Sequence, residues 1–415
     1  MSRIVMKFGG TSVADLERIA VAAYKVKQEV ENGHEVIAVV SAMSGKTNEL
    51  VGWVKASDPD FDLAEYDAVV SSGENVTSGL MALRLQVTGV KARSFQGWQV
   101  PVKCTGHHES ARIDDIPSDN LDAAFAAGNK VCVIAGFQGV MEDGRIATLG
   151  RGGSDTTAVA FAAAVNAERC DIYTDVDGIY TTDPRIVPEA RKLNKISYEE
   201  MLELASQGAK VLQTRSVELA RSYQVPLRVL SSFEEDISEK QGTIVCREKD
   251  IMENIRVVKG VAYSRDEAQV TLVSVADRPG VAAAIFGPLA DAGVNVDMIV
   301  QNISEGGRTD MTFSCPVDQT GRAEKALAEA KKEDIIRYKT LKVDADVAKI
   351  SIVGNGMRSH AGVAAKMFQI LADKGVNIRV ITTSEIKVSV LIDRDYMELA
   401  VRALHDAFEL EKESA

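Results

Sequence analysis

Cysteine is scarce and unpaired in this chain. Five cysteines, Cys104, Cys132, Cys170, Cys246 and Cys315, are scattered through 415 residues with no C-x-x-C spacing, which argues against both a disulfide framework and a zinc cage. A reducing compartment is expected. Positive charge is also in deficit: 48 Lys and Arg against 60 Asp and Glu leave a formal charge of −12. A dedicated nucleic-acid binder would carry the opposite footprint, because phosphate contacts dominate its affinity. Long apolar runs are missing as well. The strand after Met1-Ser2-Arg3 is broken by Gly9-Gly10, too early for a signal-peptide core, and no later run approaches membrane-spanning length. The expected setting is the cytoplasm, without a membrane partner.

With 46% hydrophobic residues, the 415-residue chain can bury roughly two to four separate cores. From Ile4 to about Leu230, short β-rich runs alternate with longer helical patterns, the habit of a mostly parallel α/β sheet. Strands are expected at Ile4–Phe8, Glu35–Val40, Val90–Phe95, Lys130–Ala135, Cys170–Thr174 and Leu227–Leu230. Helices are expected over Asp15–Glu31, stopped by Asn32-Gly33, and over Ser118–Ala127, stopped by Gly128. From Ser231 to about Val261 the chain is charged and irregular and reads as a linker region.

The remainder repeats itself. Gly280-Val281-Ala282-Ala283 recurs as Gly362-Val363-Ala364-Ala365, Leu289-Ala290 as Leu371-Ala372, and Gly293-Val294-Asn295 as Gly375-Val376-Asn377, all at one offset. A repeated supersecondary unit predicts two small βαββαβ modules. A dimerisation appendage without a ligand is the plainer use of such a pair.

Three glycine-marked segments carry the chemistry. The first is Lys7-Phe8-Gly9-Gly10-Thr11-Ser12-Val13, where a strand gives way to a helix. Ligands of open α/β sheets bind beyond strand C-termini, and helix N-termini offer unpaired N–H groups to anions. Glycines let that backbone approach phosphate closely, and Lys7 adds a point charge. The second is Gly150-Arg151-Gly152-Gly153-Ser154-Asp155-Thr156-Thr157 before an alanine-rich run. Ser154 and Asp155 are N-cap candidates there, and Arg151 can fork onto a carboxylate. The third, Thr174-Asp175-Val176-Asp177-Gly178-Ile179-Tyr180-Thr181-Thr182-Asp183-Pro184-Arg185, is turn-rich. Asp-Gly and Asp-Pro form turns for conformational reasons alone, so Tyr180 and Arg185 are its better ligand candidates.

Two common nucleotide motifs fail on spacing. A P-loop ending in Gly45-Lys46-Thr47 needs glycine at position 40, which is Val40, and a dinucleotide fingerprint from Gly150 and Gly152 needs glycine where Asp155 stands. The histidine pair His107-His108 reads as a solvated loop. Glu74 lies in a helical stretch from about Ala64 to Gln86, where an exposed glutamate is common.

Taken in order, K-F-G-G-T-S-V, S-S-G-E at Ser71–Glu74, G-R-G-G-S-D-T-T, T-D-V-D-G-I-Y-T-T-D-P-R and the tandem repeat resemble the amino acid kinase family, and within it the branch that phosphorylates aspartate. The resemblance covers essentially the whole chain. It implies a three-layer α/β kinase domain with a mostly parallel sheet at residues 1–245, a linker at 246–262, and two βαββαβ ferredoxin-like ACT modules at 263–345 and 346–415.

It also implies roles. Lys7, Phe8, Gly9, Gly10, Thr174, Asp175, Tyr180, Arg185 and Lys210 would hold ATP. Ser41, Thr47, Glu74, Arg151, Gly152, Gly153 and Ser154 would surround L-aspartate, with Arg151 on its α-carboxylate and Glu74 on its ammonium. Lys7 and Asp155 would be catalytic, and Mg²⁺ would arrive with ATP rather than in a protein-built metal site. Lysine or threonine would act as effector at ACT contacts. In the first module these are Asp277, Gly280, Val281, Ala282, Asn295, Asp297 and Gln301; in the second, Asn377, Ile378, Thr382, Thr383, Ser384 and Glu385. A homo-oligomer through the ACT modules and a regulatory subunit initiated at Met252 are further implications.

Physical chemistry agrees with such a reaction. A carboxylate nucleophile is ionised at neutral pH, with an ordinary pKa of ~4, and needs no strong base. The obstacle is repulsion between two anions, so positive charge and positioning must do the work. The phosphate loops do not name the acceptor: glutamate, acetylglutamate or a nucleotide would fit a sibling kinase. A catalytically silent amino-acid sensor is the reading from another class, and retention of Lys7, Arg151 and Asp155 argues against it.

Overall fold

The computed structural model describes residues 2–207, 211–234, 242–251, 256–301, 307–358, 360 and 362–412. These residues sort into two units, and the division is not a single cut in the chain. The first comprises 1–179, 192–205 and 210–253; the second comprises 180–191, 206–209 and 254–415.

The first unit is built on an eight-stranded sheet ordered Lys195–Ser197, Thr243–Cys246, Leu227–Ser231, Arg169–Thr174, Arg3–Phe8, Glu35–Val40, Val131–Ala135, Ala92–Phe95. Every pairing is parallel except that between Leu227–Ser231 and Thr243–Cys246. In the central strands Arg3–Phe8 and Glu35–Val40, every residue after the first is buried. Parallel strands covered on both faces read as continuous apolar runs. Ile4, Met6 and Phe8 pack with Ile19, Ala23 and Val26 of the Leu16–Glu31 helix and with Met81 and Leu85 of Ser72–Val87. Alternation then turns Lys7 to the other face, where the Gly153–Ala164 helix lies against the same strands.

Local signals set several element ends. Asp15 caps the first long helix by accepting from the Arg18 N–H at 2.8 Å. The stretch expected as one helix from Ala64 to Gln86 is two, Leu63–Val70 and Ser72–Val87, meeting at Ser71. The stretch from Ser231 onward is not simply irregular: Thr243–Cys246 is a strand inside the main sheet.

The second unit is a six-stranded antiparallel sheet ordered Ile299–Gln301, Arg308–Pro316, Gly260–Ala276, Thr340–Val353, Lys387–Asp393, Ile378–Thr383. The repeat is visible as two 11-residue helices, Val281–Asp291 and Val363–Asp373, each capped by a left-handed glycine, Gly280 (φ 89°) and Gly362 (φ 95°). The modules share strands rather than standing apart. Gly260–Ala276 is 17 residues long; its first part pairs with Ser351–Val353 and its last part with Thr340–Lys342. Residues expected in a linker therefore complete the second module: Val258 and Val261 lie in its core with Ile350, Met367 and Leu404. Ile186, Val187 and Ala190 join the same core, although the sequence reading put them in the kinase domain.

Candidate active site

Adjacent strands of the main sheet end together and are stitched just beyond their C-termini. The Gly9 N–H donates to the Tyr173 carbonyl at 3.3 Å, Ser41 N–H to Phe8 at 3.0 Å and Gly136 N–H to Val40 at 3.0 Å. This crest carries Gly9-Gly10, Ser41, Gly136 and Thr174-Asp175. Lys7 lies just below it, and its ammonium is 2.6 Å from the Asp155 carboxylate, both side chains being about 90% buried. A Cβ on Gly9 would come within 3.2 Å of the Lys7 Nζ, so glycine keeps the space above the ammonium open.

Asp155 belongs to the first turn of Gly153–Ala164, so it shares that helix's positive end with Lys7. The sequence reading made Ser154 or Asp155 the helix cap. Instead Gly152 is the cap, in the left-handed conformation at φ 72°, and both Ser154 and Asp155 are buried inside the first turn. The reason is tertiary: the turn is packed against the sheet, where Ser154 meets Gly136, whose added Cβ would sit 2.9 Å from the Ser154 Oγ. Gly152 itself fits tightly, since a Cβ there would lie 1.9 Å from Cγ of Gln213. Arg151 projects from this loop exposed, and Gly153 is buried against Phe137.

Glu74 is not the exposed helical glutamate that its neighbours permit. It is 3% exposed, its Oε1 accepts from the Ala42 N–H at 3.0 Å, and its Oε2 is buried with no hydrogen-bond partner among the described residues. Burial pushes its carboxyl up to about 7, against the pull of the Ala42 N–H. A half-satisfied buried carboxylate is costly, and a ligand cation would relieve it. Ala42 follows Ser41, and Gly73 is pressed on Ala42, with 2.7 Å between an added Cβ and the alanine methyl. Thr47 sits in the first turn of the Lys46–Ser57 helix that follows.

The pattern of the amino acid kinase family matches residues 2–231, and ACT-domain patterns match residues 269–333 and 350–408. The chain is 51% identical over 413 residues to an aspartate kinase of Pseudomonas fluorescens, covering 99% of this chain and 98% of the relative. It is 45% identical to an aspartokinase of Corynebacterium glutamicum, with 99% and 97% covered. The chain belongs to the amino acid kinase family, among its aspartate kinases. A solved relative, E. coli aspartokinase III in complex with aspartate and ADP, superposes with a TM-score of 0.78 at 28% identity, covering 97% of this chain and 99% of that one. The same E. coli protein with lysine and aspartate gives 0.75 at 28% identity, with 98% and 99% covered.

Not every residue expected at a family nucleotide site lies in the first unit. Thr174 and Asp175 do, the Thr174 hydroxyl donating to the Asp175 carboxylate at 3.1 Å. Tyr180 and Arg185 fall in the second unit. There the exposed Arg185 guanidinium holds Asp183 at 2.7 Å, and the Tyr263 hydroxyl donates to the same carboxylate at 2.8 Å. These donors lower the Asp183 carboxyl to about 2. Lys210 and Met252 lie outside the described residues.

Sequence reasoning missed Asp67 and dismissed His108. Asp67 is fully buried and accepts from His108 Nδ1 at 2.8 Å, so His108 is not a free solvated side chain. No motif marks such a pair, which is 41 residues apart in sequence.

In the ACT unit, Gly280 caps the Val281–Asp291 helix and Val281 and Ala282 open it. Asp277 lies just past the preceding strand with its N–H donating to the Gly307 carbonyl at 2.9 Å, and the Asn295 N–H donates to Gln319 at 2.7 Å. Asp297 pairs with the buried Lys349 ammonium at 2.5 Å, and Lys349 also holds Glu267 at 2.8 Å. Gln301 and the Ile378-to-Thr383 residues stand on opposite edge strands. Even so, Met298 and Val300 pack with Val347, Val380 and Leu391, which joins the two modules by an apolar cluster. Asn377, Thr383, Ser384 and Glu385 are exposed beside it.

Proposed function

We propose that the protein transfers the γ-phosphoryl group of ATP to the side-chain carboxylate of L-aspartate, giving 4-phospho-L-aspartate and ADP. The observation that carries this reading is the buried Lys7–Asp155 pair at the sheet crest, within the glycine loops of an amino acid kinase. A carboxylate oxygen of aspartate attacks phosphorus, the bond to the β-phosphate bridging oxygen breaks, and no proton moves. Catalysis is then a matter of holding two anions in line and neutralising charge that spreads over the transferred group. Lys7 and the N–H groups after Gly9 and Gly152 supply that positive potential, while Asp155 fixes the Lys7 ammonium. Gly10, Thr174 and Asp175 border the nucleotide, with Phe8 beneath it; Tyr180, Arg185 and Lys210 are assigned to it by family resemblance.

Arg151 takes the α-carboxylate of aspartate and Glu74 its ammonium, with Ser41, Thr47 and Ser154 around the substrate. The unpartnered Oε2 of Glu74 supports a zwitterionic acceptor. Mg²⁺ supplies charge neutralisation on the phosphate oxygens when bound. The acidic side chains at the crest, Asp155 paired with Lys7 and the exposed Asp175, suit an ion that arrives with phosphate and water as its main ligands.

Side-by-side turnover of ATP with aspartate, glutamate and acetylglutamate tests the acceptor. Aspartate alone should give rapid ADP release; a preference for either of the others refutes the assignment. Feedback belongs to the same proposal: lysine or threonine binds at the ACT modules of a homo-oligomer and lowers activity through a coupling of about 1–3 kcal/mol. The E. coli relative was crystallised with lysine. Rates unchanged by either amino acid, alone or together, would remove the regulatory half.

A further inference from the structure

We infer that Asp67 is a positioning residue for substrate binding, acting through the loop that carries Arg151. The inference rests on the reading of Arg151 as the α-carboxylate clamp. Asp67 lies in the Leu63–Val70 helix, one turn before the Ser71–Glu74 segment, and is wholly buried. Its carboxylate gathers donors from two other segments. The Thr148 hydroxyl donates to Oδ1 at 2.5 Å, the Glu109 N–H donates to the two oxygens at 3.2 and 3.0 Å, and His108 Nδ1 lies 2.8 Å from Oδ2.

Those segments are the two sides of the Arg151 loop's base. Thr148 ends the Ile146–Thr148 strand three residues before Arg151. Its carbonyl accepts from the Ala111 N–H at 3.0 Å, which binds the 107–111 segment alongside. The Glu109 carbonyl lies 3.1 Å from where a Gly150 Cβ would be, so Gly150 is seated directly against it. Glu109 itself is held at φ 67°, a left-handed conformation that costs a non-glycine residue free energy and persists only when its surroundings impose it. The bond from its N–H to Asp67 is the imposing contact. Arg215 braces the same base from the other side, donating to the carbonyls of Leu149 and Ala111 at 2.9 Å each.

Arg151 is exposed, so its aim depends on the backbone beneath. Misplacing a binding group by about 1 Å costs on the order of a hundredfold in a reaction governed by alignment. A carboxylate that locks Thr148 and Glu109 together is therefore a control on aspartate binding, without touching aspartate. Among the described residues, the side-chain hydrogen bonds of the Asp67 carboxylate go to His108, Glu109 and Thr148, all outside the Lys7 loop.

The test is steady-state kinetics of the full chain carrying Asp67→Asn, Thr148→Val, Thr148→Ser or Arg151→Ala, and of the Asp67→Asn/Arg151→Ala double variant. Asp67→Asn and Thr148→Val should each raise the aspartate KM at least tenfold, with the ATP KM within twofold of the parent. Thr148→Ser, which keeps the hydroxyl, should behave as the parent. The double variant should be little worse than Arg151→Ala alone, because both act on one clamp; a general loss of stability would add and would raise the ATP KM too. An aspartate KM within twofold of the parent in both Asp67→Asn and Thr148→Val, while Arg151→Ala raises it, overturns the positioning role alone. Arg151→Ala without effect on aspartate KM overturns the reading of Arg151 and the inference with it. Thr148→Val keeps the test decisive should Asp67→Asn fail to fold.

Discussion

Replacing Glu74 by glutamine separates what the buried carboxylate does for the fold from what it does for the substrate. Glutamine keeps the shape and can still accept from the Ala42 N–H, but it carries no charge. In the folded protein the Glu74 carboxyl sits at about 7, against its ordinary 4.5, because burial disfavours the anion. The folded state therefore keeps a proton that the unfolded chain releases, and stability contributed by this group falls as pH rises from about 4.5 through 7. Above that window the full cost is present, with a ceiling of roughly 3 kcal/mol. At pH 5.5 less than half of it has accrued.

The glutamine amide has its own burial cost of about 1–3 kcal/mol if its N–H groups find no partner, but that cost does not vary with pH. The stability of Glu74→Gln relative to the parent should thus improve by about 2 kcal/mol between pH 5.5 and pH 8.5. Denaturant unfolding of both proteins at the two pH values measures it. Aspartate should meanwhile bind the variant about ten- to a hundredfold more weakly, the value of one charge-assisted hydrogen bond. The parent's aspartate KM should climb as pH falls below about 7, and the variant's should not. A stability difference flat in pH, or unimpaired aspartate binding, refutes the reasoning.

Gly152→Ala forces a Cβ into the Gln213 side chain, 1.9 Å from its Cγ, at φ 72°. It should lower stability by about 1–3 kcal/mol and raise the aspartate KM more than tenfold. Adding Gln213→Ala should recover part of both, as calorimetry and kinetics can read. Asp171→Asn acts elsewhere: Asp171 is fully buried between Arg228 at 2.6 Å and Arg169 at 3.1 Å. Breaking this pair should cost about 3–5 kcal/mol in denaturant unfolding, with both KM values near those of the parent; a loss under ~1 kcal/mol contradicts it.

What could be read from the sequence was what is local. The strand ended by Gly9-Gly10 and the helix stopped at Asn32-Gly33 are decided by a few neighbouring residues, and the structure has them as Arg3–Phe8 and Leu16–Glu31; the repeat shows as two matching helices, Val281–Asp291 and Val363–Asp373. Lys7 and Asp155 were each named for their motifs and the family resemblance set one near the other; what the structure adds is the direct pair, made because the Gly153–Ala164 helix lies on the face of the first strand that carries Lys7. The cap at Gly152 rather than Ser154 has the same origin: packing against Gly136 drew the serine inward. Glu74 and His108 had surface-like neighbours in sequence, and only tertiary contacts from Ala42 and Asp67 reveal them as buried or bound. The kinase domain could not be bounded by a composition change, since residues 180–191 pair their apolar side chains with a core formed mostly from the last third of the chain.

The most direct test of the account is phosphoryl transfer to aspartate by Lys7→Ala. Removing the ammonium paired with Asp155 should lower kcat by about a hundred- to a thousandfold while aspartate affinity changes only a few-fold. Transfer at the parent's rate would contradict the claim that this charge brings the two anions together.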